Sequence, residues 1–165
     1  MRKKAIVISI KSFKLTNKEK YLLSNECPWG LILFKRNIST LKQLTSLIKD
    51  IRKFTKDKNF PILIDEEGST VSRLTSIINH NVNSKFFGNL YLLNKGISIQ
   101  IYKKYLNSLC KNLRKIGINI NTIPVLDVLR VNTNKVIGNR SFSFKREIVK
   151  ELGKITVNQC HTNKI

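Results

Sequence analysis

The feature that most constrains the fold of this chain is a repeated pattern: a short apolar run ends in polar residues and is followed by helical spacing. Such runs occur at residues 5–10, 30–34 and 60–64 of the 165 residues, and a fourth strand, in which isoleucine and asparagine alternate, is predicted at residues 118–125. Runs of about four to eight apolar residues bounded by turn signals are typical of strands that are buried on both faces. Four strand-then-helix units in sequence therefore predict a parallel α/β architecture.

Helices are predicted after the first two strands. Thr16 and Glu19 match a capping box, in which a hydroxyl and a carboxylate each accept a hydrogen bond from a backbone N–H at the start of a helix. This pattern predicts a short helix that runs through Leu23. A second helix follows a predicted cap at Ser39 or Thr40, and its apolar residues recur at helical spacing: Leu41, Leu44, Leu47, Ile48 and Ile51.

The second half of the chain alternates less clearly. Residues 69–89 are predicted to be irregular, with a loop at residues 79–81, where two asparagines flank a histidine. A helix is predicted at residues 97–116, and Gly117 is expected to end it in the left-handed conformation. A last helix towards the C-terminus is indicated by Ile148, Leu152, Ile155 and Gln159.

Two parallel architectures remain open on this pattern, a doubly wound sheet and a barrel of eight βα units. No glycine fingerprint follows the first strand, which disfavours the doubly wound sheet. Polar residues follow every predicted strand, as the active face of a barrel requires. A full barrel takes about 250 residues, so four units amount to about half of one.

The charge of the chain is strongly positive, with 31 basic and 10 acidic residues and a formal net charge of +21. The basic residues are dispersed, and the excess of lysine accompanies an excess of isoleucine and asparagine that is typical of a genome rich in adenine and thymine. Non-specific polyanion binding at low salt is expected, because dispersed cations still release counterions. Specific nucleic-acid recognition is not expected, since no zinc-finger spacing, aromatic ribonucleoprotein motif or glycine-rich phosphate loop is present.

The sequence indicates neither a metal site nor a membrane segment. Cys27, Cys110 and Cys160 are odd in number and lack metal-ligand spacing, so no disulfide framework, zinc site or other cofactor is predicted. No apolar stretch approaches the roughly 18 residues that span a bilayer. Residues 2–4 are basic, but the apolar run after them is short and has no cleavage site, so a cytoplasmic protein is predicted.

The third predicted strand is followed directly by a cluster of charged residues. Pro-Ile-Leu-Ile at residues 61–64 is followed by Asp65, Glu66 and Glu67, then by Gly68, and five residues later by Arg73. In parallel α/β folds, functional residues gather on the loops beyond the carboxyl ends of the strands. These residues are therefore candidates for an active-site rim, and the alternative is a solvated loop.

Four short motifs lie in order along nearly the whole chain. They are Gly-Leu-Ile-Leu-Phe-Lys-Arg-Asn at 30–37, Ile-Asp-Glu-Glu-Gly at 64–68 with Val-Ser-Arg at 71–73, Gly-Ile-Asn-Ile-Asn at 117–121 followed by Pro-Val-Leu-Asp-Val at 124–128, and Ile-Gly-Asn-Arg-Ser-Phe at 137–142. Together they resemble the N-terminal half of bacterial β-N-acetylhexosaminidases of glycoside hydrolase family 3. The resemblance implies a (β/α)8 TIM barrel, of which residues 1–165 form a single incomplete domain with roughly the first four βα units.

The resemblance also implies a substrate and the residues that hold it. Cytoplasmic members of the family release β-linked N-acetylglucosamine from cell-wall glycans or muropeptides during peptidoglycan recycling. Asp65, Arg73 and Arg140 match the family residues that hold the sugar next to the bond being cut. These side chains suit a polyol, because a carboxylate accepts hydroxyl hydrogens and a guanidinium offers a planar fork of donors. Glu67 is expected to support them, and Asp127 to orient Arg140 or the nearby backbone, unless Asp127 only shapes a turn.

The chain also departs from the family pattern. Ser69 and Thr70 follow Gly68 where the family has a second glycine and an arginine, and a positive φ at Ser69 would cost about 1 kcal/mol. The resemblance further implies that the acid/base His-Asp pair and the nucleophilic aspartate of this retaining reaction lie beyond Ile165. His161 is expected to be an exposed helix residue and no substitute for them.

The chain alone is therefore expected to have no significant glycosidase activity. It could be a fragment or remnant of a hydrolase, a half that pairs with itself or with a second polypeptide, or a protein that only binds the sugar. A basic polyanion-binding protein is the alternative from a different class.

Overall fold

The computed structural model describes residues 3–165, so Arg2 of the basic N-terminus lies outside the described residues. The strands are β1 (Lys4–Ile8), β2 (Pro28–Leu33), β3 (Ile62–Ile64) and β4 (Ile120–Asn121). The α-helices are α1 (Asn17–Asn25), α2 (Leu41–Thr55), α3 (Ser84–Leu93), α4 (Lys95–Ile116) and α5 (Arg146–Thr162). Single 3₁₀ turns lie at Lys35–Asn37 and Gly138–Arg140. None of the helices between residues 3 and 165 is both long and apolar enough to cross a bilayer.

The four strands form one parallel sheet in the order β1-β2-β3-β4. Leu31 of β2 pairs with Ile62 of β3, and Leu63 of β3 pairs with Ile120 of β4. The parallel α/β prediction is confirmed. The sequential order also decides between the two open architectures, because a doubly wound sheet reverses its strand order at a switch point and a barrel does not.

The chain folds into two compact units. The first, here called the sheet unit, comprises the described residues up to Asp65 together with Arg73–Asn79 and Leu113–Thr122. The second, the helical unit, comprises Glu66–Ser72, His80–Asn112 and Ile123–Ile165. All four strands and helices α1 and α2 belong to the sheet unit, whereas α3, α5 and most of α4 belong to the helical unit.

The sheet unit is built as the sequence pattern predicts. Thr16 Oγ1 accepts the N–H of Glu19 at 3.3 Å and Glu19 Oε2 accepts the N–H of Thr16 at 2.7 Å, which confirms the capping box. Thr40 caps α2 through the N–H of Gln43. The apolar face of α2 is buried at Leu44, Leu47, Ile48 and Ile51, and each such side chain contributes about 1.5–3 kcal/mol relative to an exposed one.

The helical unit has an aromatic core. Its buried cluster consists of Phe87, Tyr102, Leu106, Phe142, Ile148, Val149 and Leu152. The hydroxyl of Tyr102 lies 2.7 Å from Thr156 Oγ1, so the most buried phenol of this core has a polar partner. The sulfur atoms of Cys110 and Cys160, which are distant in sequence, lie 3.8 Å apart between α4 and α5.

The structure differs from the predicted elements in the second half of the chain. Helix α3 begins at Ser84, inside the stretch predicted to be irregular, because Asn83 caps it by accepting the N–H of Phe86 at 3.1 Å. Strand β4 has two residues rather than the predicted eight. One reason is that the side chain of Asn119, not its backbone, accepts the N–H of Ile62 at 2.7 Å, so regular pairing starts later. Gly117 ends α4 with φ 104°, as predicted.

Candidate functional site

Asp65 lies directly after β3, the strand between β2 and β4 in the sheet. Its Oδ2 accepts a hydrogen bond from Arg73 Nη2 at 2.9 Å, and its Oδ1 accepts one from Thr122 Oγ1 at 2.7 Å. Thr122 directly follows β4, so the ends of two neighbouring strands bring Asp65 and Thr122 together. The side chain of Asp65 is 23% exposed, and a ligand can therefore still reach it.

Arg73 contacts an aromatic ring as well as Asp65. Its guanidinium carbon lies 5.7 Å from the ring centroid of Phe34, the residue that follows β2. The guanidinium of Arg36 lies 4.7 Å from the same centroid and donates to the Ile10 carbonyl at 3.0 Å. Stacking on an aromatic face restrains the plane of a guanidinium, and in this way Phe34 helps to fix the direction in which Arg73 points.

Asn37 explains why the turn after β2 holds its shape. The residue is fully buried, and its Nδ2 donates to the carbonyls of Ile10 and Ser12 at 3.0 and 3.1 Å. Its Oδ1 accepts the N–H of Phe34 at 3.0 Å. Asn37 thus ties the loop after β1 to the loop after β2 within the sheet unit, and it positions Phe34.

The helical unit contains the second pair of candidate residues, Glu67 and Arg140. Arg140 Nε and Nη2 donate to the two carboxylate oxygens of Glu67, each at 2.8 Å, which is a bidentate ion pair. The Glu67 side chain is 8% exposed and that of Arg140 is 22% exposed. Such geometry fixes the guanidinium plane, since both hydrogen bonds must be kept at once.

Asp127 is linked to the neighbour of Arg140 through its main chain. Its backbone carbonyl accepts a hydrogen bond from Ser141 Oγ at 2.5 Å, while the residue itself is exposed. Asp127 thus lies beside the backbone that follows Arg140, and the contact is made by its main chain rather than by its carboxylate. His161 is exposed on α5, as expected.

The turn that carries Glu67 depends on Gly68. Its φ is 140°, and a Cβ atom at this position would lie 2.5 Å from the carbonyl oxygen of Val82. Among the described non-glycine residues, a positive φ occurs at Cys27, Lys56 and Lys164 and not at Ser69. Ser69 is thus free of the strain that a left-handed conformation would impose, and its N–H donates to Val82 at 2.9 Å.

Three residues of this region were given no individual role from the sequence: Glu66, His80 and Tyr105. The Glu66 side chain is 0% exposed, and its Oε1 lies 2.5 Å from Ser72 Oγ and 2.6 Å from His80 Nε2. His80 Nδ1 lies 3.0 Å from the hydroxyl of Tyr105. Burial and, second, the charge of Glu66 raise the pKa of Tyr105, so this phenol remains protonated.

No signal along the chain could have identified this network. Glu66 and His80 are 14 residues apart and His80 and Tyr105 are 25 apart, in segments predicted to be a loop and a helix. Within residues 3–165, no three His, Cys, Asp or Glu side chains are arranged to hold a metal ion.

Relatives with curated names match most of this chain. A β-hexosaminidase of Thioalkalivibrio sulfidiphilus is 28% identical over 147 residues, which cover 89% of this chain and 42% of that protein. A β-hexosaminidase of Chromobacterium violaceum is 29% identical over 147 residues, which cover 89% of this chain and 41% of that protein. The chain spans about half the length of the curated relatives it matches.

A solved structure shares the fold. NagZ from Neisseria gonorrhoeae, crystallised in complex with N-trifluoroacetyl-D-glucosamine, is 27% identical to this chain and superposes on it with a TM-score of 0.86. The match covers 98% of this chain and 48% of that one. The expectation that this chain covers part of a TIM-barrel-type fold is confirmed.

The family predicted from the four motifs is also confirmed. The family model described as glycosyl hydrolase family 3 N terminal domain matches residues 1–165. The match includes β3 with Asp65 and the 3₁₀ turn with Arg140, so both candidate clusters lie within it. The chain belongs to the glycosyl hydrolase family 3, as an N-terminal domain sequence of that family.

Proposed function

We propose that this chain supplies the sugar-binding part of a β-N-acetylhexosaminidase, an enzyme that releases β-linked N-acetylglucosamine. Asp65, Arg73 and Arg140 contact the sugar in this proposal. Glu67 holds Arg140, and Asp127 supports the backbone beside it. The observation that carries the proposal is the Asp65–Arg73 pair at the carboxyl end of β3, where a parallel α/β fold places its functional groups.

The chemistry of this pair suits a sugar hydroxyl. A carboxylate that is already held by Arg73 and Thr122 has a fixed direction, and its remaining lone pairs can accept a hydroxyl hydrogen. A preorganised acceptor binds a polyol more tightly than a mobile one, because less side-chain entropy is lost on binding. The Neisseria gonorrhoeae relative was crystallised with an N-acylated glucosamine, which is the ligand class proposed for this chain.

The wider parts of the proposal rest on the family. The natural substrate is an N-acetylglucosamine-containing glycan or muropeptide, and the setting is peptidoglycan recycling in the cytoplasm. Residues 1–165 belong to one incomplete barrel domain, which associates with a C-terminal half or with itself. The chain spans about half the length of its relatives, and for residues 1–165 taken by themselves we further propose sugar binding without hydrolysis.

Calorimetry of the purified chain with N-acetylglucosamine tests the sugar site. We expect saturable binding, and the variants Asp65→Asn and Arg73→Met should weaken it by about tenfold or more, since each removes one half of a charge-assisted pair. Asp57→Asn is the matched control, because Asp57 forms an exposed ion pair with Lys3 in the same unit. The affinity of Asp57→Asn for N-acetylglucosamine should equal that of the wild type.

Two results would count against the proposal. Wild-type protein that gives no saturable heat at low millimolar sugar would rule out the binding role. Equal losses in Asp57→Asn and Asp65→Asn would show that the effect is general destabilisation. Turnover of an aryl β-N-acetylglucosaminide by the pure chain would contradict only the statement that the chain binds without hydrolysis.

A second candidate function, non-specific polyanion binding, is favoured by one observation, the net charge of +21. Dispersed lysine and arginine side chains attract any phosphate backbone and displace its counterions. This candidate requires no defined site, and its dependence on salt separates it from sugar binding.

A further inference from the structure

Glu66 is the one member of the acidic trio that the proposed function does not use, although its carboxylate is fully buried. Burying a carboxylate is costly unless hydrogen bonds replace the lost water. Ser72 and His80 supply them at 2.5 and 2.6 Å. Ser72 and His80 therefore help to fix the carboxylate of Glu66.

The hydrogen bonds continue from Glu66 through His80 to Tyr105. The protonated phenol of Tyr105 lies 3.0 Å from His80 Nδ1 and can donate its hydrogen there. His80 Nε2 then carries a hydrogen and donates it to Glu66. With the His80 hydrogen on Nε2, each hydrogen bond in this chain of three is donated in the direction from Tyr105 to Glu66.

Tyr105 connects the chain of hydrogen bonds to the rigid part of the helical unit. Its ring lies 5.1 Å from that of Phe87 and 6.4 Å from that of Tyr102, between centroids. Both neighbours belong to the buried aromatic cluster. A side chain packed in this way loses rotamer freedom. The hydroxyl of Tyr105 is therefore held in place, and it restrains His80 and, through His80, Glu66.

The neighbouring residue, Glu67, forms the bidentate pair with Arg140. Its N–H donates to the Val71 carbonyl at 2.9 Å, and the N–H of Ser69 donates to Val82 at 2.9 Å. The main chain around Glu67 is thus held on both sides of Gly68. Glu66 is bonded directly to Glu67, so its position bears on this turn and on the two oxygens that orient Arg140.

We propose that Glu66, His80 and Tyr105, here called the Glu66 anchor, are positioning residues that hold Glu67 and thereby fix the guanidinium plane of Arg140. The anchor acts through Glu67 and contacts no sugar itself. The consequence for sugar affinity rests on the proposed function of Arg140. The consequence for the Glu67–Arg140 pair does not.

The test follows the Nε–H of Arg140 by NMR in the purified chain. In Glu66→Ala, the Arg140 Nε–H should exchange with solvent about tenfold faster or more, because the pair that protects it opens more often. N-acetylglucosamine affinity should fall by a similar factor. Glu66→Gln should restore most of the protection, since its amide oxygen still accepts from Ser72 and His80.

Glu147→Ala is the matched control, since Glu147 forms an exposed ion pair with Arg146 in the same unit. This variant should leave the Arg140 signal unchanged. If Glu66→Ala fails to fold by circular dichroism, Tyr105→Phe carries the test. It keeps the ring and removes only the hydroxyl, and it should accelerate exchange about threefold or more.

An unchanged Arg140 signal in folded Glu66→Ala or Tyr105→Phe would overturn the anchor. Failure of Glu66→Gln to restore protection where Glu66→Ala has lost it would also count against the anchor, because packing rather than hydrogen bonding would then be at work. If wild-type protein does not bind N-acetylglucosamine, the proposed function fails, but the Arg140 exchange rate still decides the anchor.

Discussion

Gly88 shows at the scale of single residues how tightly the helical unit is packed. It lies in α3, and a Cβ atom built on it would lie 1.7 Å from the carbonyl oxygen of Phe142. A backbone atom cannot move aside as the end of a side chain can, so α3 would have to shift. We expect Gly88→Ala to lower the free energy of unfolding by about 3 kcal/mol, measured by urea denaturation.

Gly96→Ala is the matched control for this prediction. Gly96 lies in the first turn of α4, and the nearest atom to a Cβ there is Asn94 Oδ1 at 3.5 Å, an ordinary contact. This substitution should be neutral or raise stability by about 0.5–1 kcal/mol, since alanine restricts the unfolded chain. Equal effects of the two substitutions would show that α3 is not held against Phe142.

Residue types predicted part of the candidate site, and tertiary contacts determined the rest. Asp65 and Arg73 share one motif, so their proximity could be expected from the sequence. The partners Thr122 and Phe34 could not, because they follow other strands of the sheet. Glu66 has the same chemistry as Glu67, and only the fold makes one of them buried and the other a partner of Arg140.

At the scale of elements, the capping box at the start of α1 makes the stability of the protein depend on pH. Glu19 accepts the N–H groups of Thr16 and Lys11, each at 2.7 Å. Burial opposes ionisation, but these hydrogen bonds outweigh it and lower the pKa of Glu19. A lowered pKa adds stability that is present above the ordinary glutamate range and is lost as the pH falls through the lowered value.

We therefore expect Glu19→Ala to lower the free energy of unfolding by about 1 kcal/mol at neutral pH. The difference in unfolding free energy between wild type and Glu19→Ala should narrow as the pH falls below the ordinary glutamate range, because the wild-type carboxylate becomes protonated. Glu19→Gln is the control, since it keeps the capping box without a titrating group. The difference in unfolding free energy between Glu19→Gln and Glu19→Ala should stay constant with pH. Urea denaturation across this pH range measures both differences, and parallel wild-type and Glu19→Ala curves would contradict the role of the charge.

Elements with strong local sequence patterns were predicted more accurately than elements whose formation depends on tertiary packing. Helices α1 and α2 have capping residues and a clear apolar face, and both lie where the pattern predicts them. Helix α3 was missed because glycine at position 88 and asparagine at position 89 weaken its helical signal. Tertiary packing against Phe142 requires that glycine. The contact that stabilises the helix therefore also requires the residue that weakens its helical pattern in the sequence.

At the scale of the whole molecule, the alternation of strands and helices predicted the class of fold. The choice between a barrel and a doubly wound sheet required the strand order, which depends on non-local pairing that no local pattern contains. The missing glycine fingerprint and the polar residues after each predicted strand favoured the barrel, and the family resemblance favoured it further. The net charge, by contrast, is a global property that can be counted from the sequence, and it makes a separate prediction.

The charge of +21 predicts that sugar binding and polyanion binding respond differently to salt. Anisotropy with labelled single-stranded DNA should show affinity falling about tenfold or more between roughly 50 and 200 mM salt, as expected when at least about three phosphates are neutralised. N-acetylglucosamine has no net charge, and its calorimetric affinity should be nearly constant over the same range. DNA of different base sequence should bind equally, because dispersed cations contact phosphates rather than base edges. Tight DNA binding that persists in high salt or prefers one sequence would contradict this interpretation and favour a defined nucleic-acid site.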